Sequence, residues 1–240
     1  MELKVIARIK SDFPTKFGIP RQSGLTGLFS YIVFEKDYRR EEALRGLDGF
    51  EYIWIIWGFD RAERDSWSPT VRPPRLGGNK RVGVFATRSP YRPNPLALSS
   101  VKIERIVKTE ESGTVIVVSG ADIADNTPVY DIKPYLPFTD SHEHAKAGFA
   151  DETVQYKIEV VFRCDLPEEF SEEKKRGLRE LLESDPRPAY QEDEDRRYGF
   201  LFSGYEIGFF VKENVLTVTE IIKADKIQFK GRRRPVRGDR

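Results

Sequence analysis

Residues 51–59, EYIWIIWGF, decide how the rest of the chain is read. Alternate positions on both sides of this run are apolar: Ile53, Ile55 and Trp57 on one side, Tyr52, Trp54 and Ile56 on the other. A half-exposed strand shows apolar residues on one face only, so this run predicts a strand that is covered on both sides or crosses the middle of a closed sheet. Outward from it, the segments 3–11, 28–34, 81–88, 99–108, 114–123, 128–136 and 152–162 read as further strands, most of them bounded by Gly, Pro or Asn turns. Regular intervening helices are missing, and no glycine-rich strand-to-helix turn occurs. The pattern therefore predicts a mainly β protein, a closed antiparallel β-barrel, and excludes a doubly wound dinucleotide fold.

Two segments depart from the strand pattern. DYRREEALRGL, 37–47, reads as a short helix capped by Asp37 and ended near Gly46. DLPEEFSEEKKRGLRELLES, 165–184, carries Phe170, Leu178, Leu181 and Leu182 at helical spacing, with Asp165 before Pro167 as its start signal. After it, residues 198–222 read as two or three strands turning at Glu213-Asn214. The expected division is a barrel over 1–162, a small C-terminal α+β domain over 163–222 and a basic tail over 223–240.

Charge is unevenly distributed along the chain. Net charge is +1, yet no acidic residue lies between Asp65 and Glu104, where Arg72, Arg75, Lys80, Arg81, Arg88, Arg92 and Lys102 fall. The tail from Lys223 adds a further basic run. Such segregation suits a chain that meets phosphates, and nucleic acid is the expected partner. The inner basic block is also stiff, because Pro90, Pro93 and Pro95 lock the backbone around Arg88 and Arg92. Four proline-stiffened loops, IPRQSG (19–24), SPTVRPPRLGG (68–78), DIKPYLPF (131–138) and DPRPAY (185–190), carry Arg, Lys, Tyr or Gln. A loop that merely joins strands needs no such stiffening, so these are candidates for holding a ligand.

Other chemistries find little support. The lone cysteine, Cys164, excludes an internal disulfide and sits among apolar strand residues, where a buried inert thiol is expected. His142 and His144 are the only histidines, so a triad hydrolase would have to use the DSHEH loop, and no metal centre is expected there. No apolar run reaches membrane length and the opening MELKVIARIKSDF lacks an apolar leader segment, which predicts a cytoplasmic protein without membrane partners.

In order along the chain, PRQ (20–22), SPTVRPPRLGGNKRVGVFATRSPYRPNPLALS (68–99), GADIADNTPVYDIKPYLPF (120–138) and DPRPAY (185–190) resemble the signature stretches of the TsaA-like, or TrmO, family of tRNA methyltransferases. The resemblance implies a β-barrel, homodimeric enzyme. It would use S-adenosyl-L-methionine to methylate N6 of threonylcarbamoyladenosine at position 37, in the anticodon loop of threonine-accepting tRNA. Carried over by motif, the methyl donor would touch Pro20, Arg21, Gln22, Arg88, Leu98 and the run Asp125, Asn126, Thr127, Pro128. The turn after the aromatic strand, Asp60-Arg61, contributes in relatives. Asp185, Arg187 and Tyr190 match the motif linked to the modified nucleoside and are the candidate catalytic residues. Arg72, Arg75, Lys80, Arg81 and Arg92 are the expected RNA phosphate contacts. The competing reading is a non-catalytic binder of an adenosine-containing ligand or RNA.

Overall fold

The computed structural model describes residues 2–61, 66–73, 80–153, 157–187 and 196–226. In chain order the elements are β1 (Ala7–Lys10), β2 (Phe29–Phe34), β3 (Tyr52–Gly58), β4 (Thr70–Val71), β5 (Val82–Gly83), β6 (Leu96–Thr109), β7 (Gly113–Ser119), β8 (Pro128–Pro134), α1 (Pro137–Asp140), β9 (Glu159–Phe162), α2 (Glu172–Glu183), β10 (Tyr198–Phe202), β11 (Tyr205–Lys212) and β12 (Val215–Lys223).

The six strands β1-β2-β7-β6-β3-β8 pair antiparallel in that order, and β8 returns to β1 through Ala7↔Val129 and Arg8↔Pro128, closing the ring. β3 runs between β6 and β8, with Ile55 opposite both Ser99 and Ile132. Its inner residues Ile53 and Ile55 are fully buried and meet Ile9, Ile32 and Ile116 inside the barrel. Each such isoleucine contributes about 1.5–3 kcal/mol by leaving water. β6 is long enough, at 14 residues, to serve both β3 and β7, and a register shift between Ile103 and Arg105 lets it bend between them.

A second sheet, β10-β11-β12-β9, is antiparallel except for β9, which lies parallel to β12 with Val160 opposite Leu216. β9 ends at residue 162, on the barrel side of the expected boundary, yet it pairs with the second sheet. The turns at Ser203-Gly204 and Glu213-Asn214 hold positive φ at both central residues. That is the twist a two-residue hairpin favours. α2 lays Leu178, Leu181 and Leu182 against Phe200, Phe202 and Phe209 of this sheet.

The segment 11–28 binds the two halves together. Phe13 and Leu28 belong to the second core, with Phe13 5.8 Å from the Phe202 ring. Gly177 of α2 lies so close to Leu28 that a Cβ there would fall 2.4 Å from its Cγ, so glycine sets the distance between helix and barrel. Lys174 Nζ donates to Asp12 Oδ1 at 2.9 Å, and Gly27 N donates to Glu180 Oε2 at 2.8 Å. A loop with little regular structure is thereby held by the C-terminal domain.

Several local expectations change. Residues 37–47 form no α-helix but lie across three 3-10 turns, Lys36–Tyr38, Glu41–Leu44 and Leu47–Gly49, and Asp37 caps nothing. Gly46 at φ 84 interrupts any continuous helix, and Arg39 Nε reaches back to the Phe34 carbonyl at 2.8 Å. Within 81–88 only Val82–Gly83 is extended, because a 3-10 turn at Val84–Ala86 buries Val84 and Thr87 Oγ1 closes it onto the Val84 carbonyl at 2.8 Å. In 152–162 only Glu159–Phe162 is a strand, and 154–156 lie outside the described residues. The long helix begins at Glu172, not near Asp165. Ser171 is its cap, its side chain accepting from Lys174 N. The tail beyond 226 lies outside the described residues.

Candidate functional site

The outer face of β3 explains the two-sided apolar run. Trp54 and Ile56 point away from the barrel core and wall a cleft of about 2140 Å³, which also takes in Leu98 of β6 and Arg187 from beyond α2. That volume exceeds the roughly 300–1,000 Å³ of an ordinary small-molecule pocket, leaving room for a cofactor and a nucleoside together.

The basic loop after β5 forms one wall and holds its own shape. Arg92 Nη1 donates to the Thr87 and Ser89 carbonyls at 3.1 and 3.3 Å, and Ser89 N donates to Thr87 Oγ1 at 3.2 Å. With Pro90, Pro93 and Pro95 fixing φ, few torsions remain to be ordered by a ligand. This loop carries Arg88 to the cleft, where its Nη1 donates to Gln22 Oε1 of the opposite loop.

The loop bearing Gln22 is clasped from the C-terminal side. Arg21 Nη2 donates to the Asp185 carbonyl at 2.6 Å and to the Arg187 carbonyl. Asp185 stands at φ 49 and is 7% exposed. Its carboxylate takes the Arg187 guanidinium in a two-pronged pair, Nε to Oδ1 and Nη2 to Oδ2, both 2.9 Å. Both Asp185 oxygens are thus engaged in shaping the turn that presents Arg187 to the cleft.

At the cleft floor lies a polar chain that sequence reasoning missed. Trp57 Nε1 donates to Ser99 Oγ at 2.9 Å, and Ser99 Oγ donates to Asp122 Oδ1 at 2.6 Å. Burial pushes the Asp122 carboxyl above its ordinary range, while the Ser99 hydroxyl and the Arg88 charge pull the other way. No local signal marks this chain, because Ser99 and Asp122 are on different segments and Trp57 reads simply as an apolar strand residue.

Of the expected donor contacts, Pro20, Arg21, Gln22, Asp60, Arg61, Arg88, Leu98 and Thr127 line the cleft. Arg61 is also a brace, its guanidinium donating to the Pro14 carbonyl at 2.6 Å and to the Asp125 carbonyl. Asp125, Asn126 and Pro128 turn toward β1: Asp125 Oδ1 accepts from Ser11 N at 3.1 Å, Asn126 N donates to the Ile9 carbonyl at 2.7 Å, and Pro128 stands opposite Arg8. Their effect is to hold Thr127, 1% exposed, at the cleft wall. Among the expected RNA contacts, Arg72, Arg81 and Arg92 line the cleft and Lys80 is exposed beside it in sequence. Arg75 and Tyr190 lie outside the described residues.

In the DSHEH loop, Asp140 Oδ2 accepts from Leu136 N and Trp54 Nε1, both at 2.9 Å, and these bonds hold its carboxyl below the usual range. Among the described residues no group of three His, Cys, Asp or Glu could hold a metal, and no helix is long and apolar enough to cross a membrane. Burial raises the Cys164 thiol, the opposite of nucleophile activation.

A barrel joined to a small α+β domain, with one cationic cleft drawing side chains from both, defines a two-domain ligand-binding β protein. Residues 8–141 match the tRNA-methyltransferase O N-terminal domain and residues 152–224 the TrmO C-terminal domain, so the chain belongs to the TrmO family. It is 39% identical over 201 residues to a tRNA (adenine(37)-N6)-methyltransferase of Escherichia coli K12, covering 81% of this chain and 85% of that one. It is 38% identical over 205 residues to a Pseudomonas aeruginosa protein provisionally named an S-adenosylmethionine-dependent methyltransferase, with the same coverage of 81% and 85%. The fold is similar to a crystal structure of TrmO from Pseudomonas aeruginosa, with TM-score 0.71, 28% identity, and 93% of this chain and 97% of that chain covered.

Proposed function

We propose that the chain is an S-adenosyl-L-methionine-dependent methyltransferase acting on N6 of the adenine at position 37 of tRNA. We infer further that the acceptor is threonylcarbamoyladenosine in threonine-accepting tRNA. The observation that carries this reading is the convergence of Gln22, Arg88 and Arg187, from three separate loops, on one cleft large enough for a cofactor and a nucleoside. Its donor set fits the cofactor. Arg88, held by Gln22, offers a guanidinium to a carboxylate, the wall at Leu98, Phe59 and Trp57 is apolar, and Asp122 supplies a buried carboxylate.

The bound donor supplies a methyl group on a sulfonium sulfur, already activated, so the transfer calls for alignment and exclusion of water and not for a metal. Alignment of this kind is worth roughly 7–11 kcal/mol in favourable cases. Proline-locked loops and the Arg21 clasp provide it by holding both walls before the substrates arrive. N6 must release a proton during transfer. Asp122 is the carboxylate we assign to take it, because it lies in the cleft and burial raises it above the ordinary carboxyl range, while both oxygens of Asp185 are engaged by Arg187. Asp185 and Arg187 then act together to orient the nucleoside, with Tyr190 of the same motif.

Arg72, Arg81 and Arg92 line the route by which a phosphate-rich loop would enter, with Lys80, Arg75 and the basic tail adding charge. Exposed Phe138, 87% accessible in the single chain, supports a homodimer, and a tRNA substrate is in keeping with a cytoplasmic enzyme. Incubation with methyl-labelled donor and tRNA lacking only the N6 methyl tests the reading: label should enter the tRNA at position 37. Donor bound without transfer would instead identify a binding module.

A further inference from the structure

Two large aromatic side chains stand exposed where the chain carries its cations. Trp67 and Phe85 lie near-parallel, ring centroids 6.1 Å apart and planes at 25°, yet Phe85 is 71% exposed and Trp67 48%. Rings that paired only to leave water would not keep so much of their surface wet. Phe85 sits in the wall of the cleft, and the Arg92 guanidinium lies 6.0 Å from its centroid. Arg72 and Arg81 line the same cleft, and the 38 residues from 66 to 103 contain no acidic side chain to oppose them.

The position of Phe85 is built, because the 3-10 turn Val84–Ala86 buries Val84 completely and turns the next side chain outward. On the other side of the pair, Ser68 Oγ donates to the Thr70 carbonyl at 2.7 Å and Ser68 N to the Tyr91 carbonyl at 3.3 Å, which fixes the residue after Trp67. The residues that carry the pair are therefore held by hydrogen bonds of their neighbours in the basic loop as well as by the contact between the two rings. Phe138, the other strongly exposed phenylalanine among the described residues, offers a contrast. It stands two residues from Asp140 with no arginine stacked on it among the described residues, so it lacks the charge a polyanion would need.

We propose that Trp67 and Phe85 form a stacking platform for an unpaired nucleobase of the RNA substrate, one flanking the methylated adenine, with Arg72 and Arg81 positioned for its phosphates. The proposal rests on the function given above and adds to it a second subsite, outside the donor cleft floor, for a base that is not modified. Aromatic platforms bind bases of any identity through their π-faces, so this subsite contributes affinity and registers the loop without reading its sequence.

The test measures binding of an anticodon stem-loop RNA by the full chain and by its Trp67→Ala, Phe85→Ala, Trp67→Phe and Phe85→Tyr variants. Each alanine variant should weaken RNA binding about 5- to 150-fold, the range found for single base-stacking rings. The conservative variants should restore most of it. The platform predicts a raised KM for RNA with kcat retained, unchanged calorimetric affinity for S-adenosylmethionine, and an unchanged slope of binding against salt, whereas Arg72→Ala should make that slope shallower. RNA affinity unaltered in both alanine variants would overturn the proposal. So would a loss of dimer mass on sedimentation, which would make the rings a contact between copies, or a loss of donor affinity, which would make them cofactor wall. Failure of the wild-type chain to methylate tRNA, with these RNA affinities still shifted, would overturn the proposed function and leave the platform standing.

Discussion

Replacing Asp185 distinguishes a positioning role from a chemical one. Its side chain and that of Arg187 are 10% and 14% exposed, so the pair is almost dry. Removing one partner from a buried pair costs roughly 3–5 kcal/mol, and we take about 3 because Arg187 keeps other neighbours. Asp185 also stands at φ 49, where alanine adds about 1 kcal/mol of steric cost that Asp and Asn largely escape. Asp185→Ala should therefore lose about 4 kcal/mol, which at about 2–4 °C per kcal/mol lowers the unfolding midpoint by roughly 8–16 °C. Asp185→Asn keeps the turn and an acceptor oxygen but loses the charge, and should lose less than half as much. Calorimetric unfolding of the three proteins supplies the midpoints, and methyl transfer is measured well below the lowest of them. Alanine should abolish transfer by dissolving the turn that carries Arg187 and the two carbonyls that hold Arg21, while asparagine should retain a substantial part of it. An asparagine variant that is as stable as wild type yet inactive would refute the positioning argument, and an alanine variant melting within about 2 °C of wild type would refute the energetic one.

Two further variants test the cleft. Arg88→Ala should weaken S-adenosylmethionine binding about 10- to 100-fold in calorimetry, the loss of one or two charge-assisted bonds, with little change in the unfolding midpoint because Arg88 is exposed; near-normal affinity would remove it from the donor site. Asp122→Asn should lower kcat, measured at saturating donor, about 100- to 10,000-fold. Because the folded Asp122 carboxyl holds its proton more tightly than the unfolded one, it makes stability fall as pH rises from the unfolded value to the folded one, and the asparagine variant should lose that part of the decline in a pH series of unfolding measurements.

Ile53 and Ile55 on one side of β3, and the turn pair Glu213-Asn214, follow from residue spacing alone, since strand alternation and hairpin twist are properties of a few consecutive residues. The motif loops were legible for the same reason: proline and arginine in Pro20–Gln22 and in 85–99 announce a rigid cationic backbone wherever they fold. Local pattern misled where distant contacts decided. Residues 37–47 have the composition of a helix, but Gly46 and the Arg39 bond to Phe34 break it into turns. β9 reads as a last barrel strand, yet its hydrogen bonds go to β12, more than fifty residues later.

By itself the sequence determined the strand-rich architecture, the stiff basic loops and the family to which they belong. Only the tertiary structure joined Trp57, Ser99 and Asp122 into one polar chain, and only it turned Asp185 from a free acid into the anchor of Arg187. It also turned the outer apolar face of β3 into the wall of a cleft. The physical reason is range. Backbone preference and side-chain periodicity act over a few residues, whereas burial and hydrogen-bond partnership are settled by whichever distant segment packs alongside.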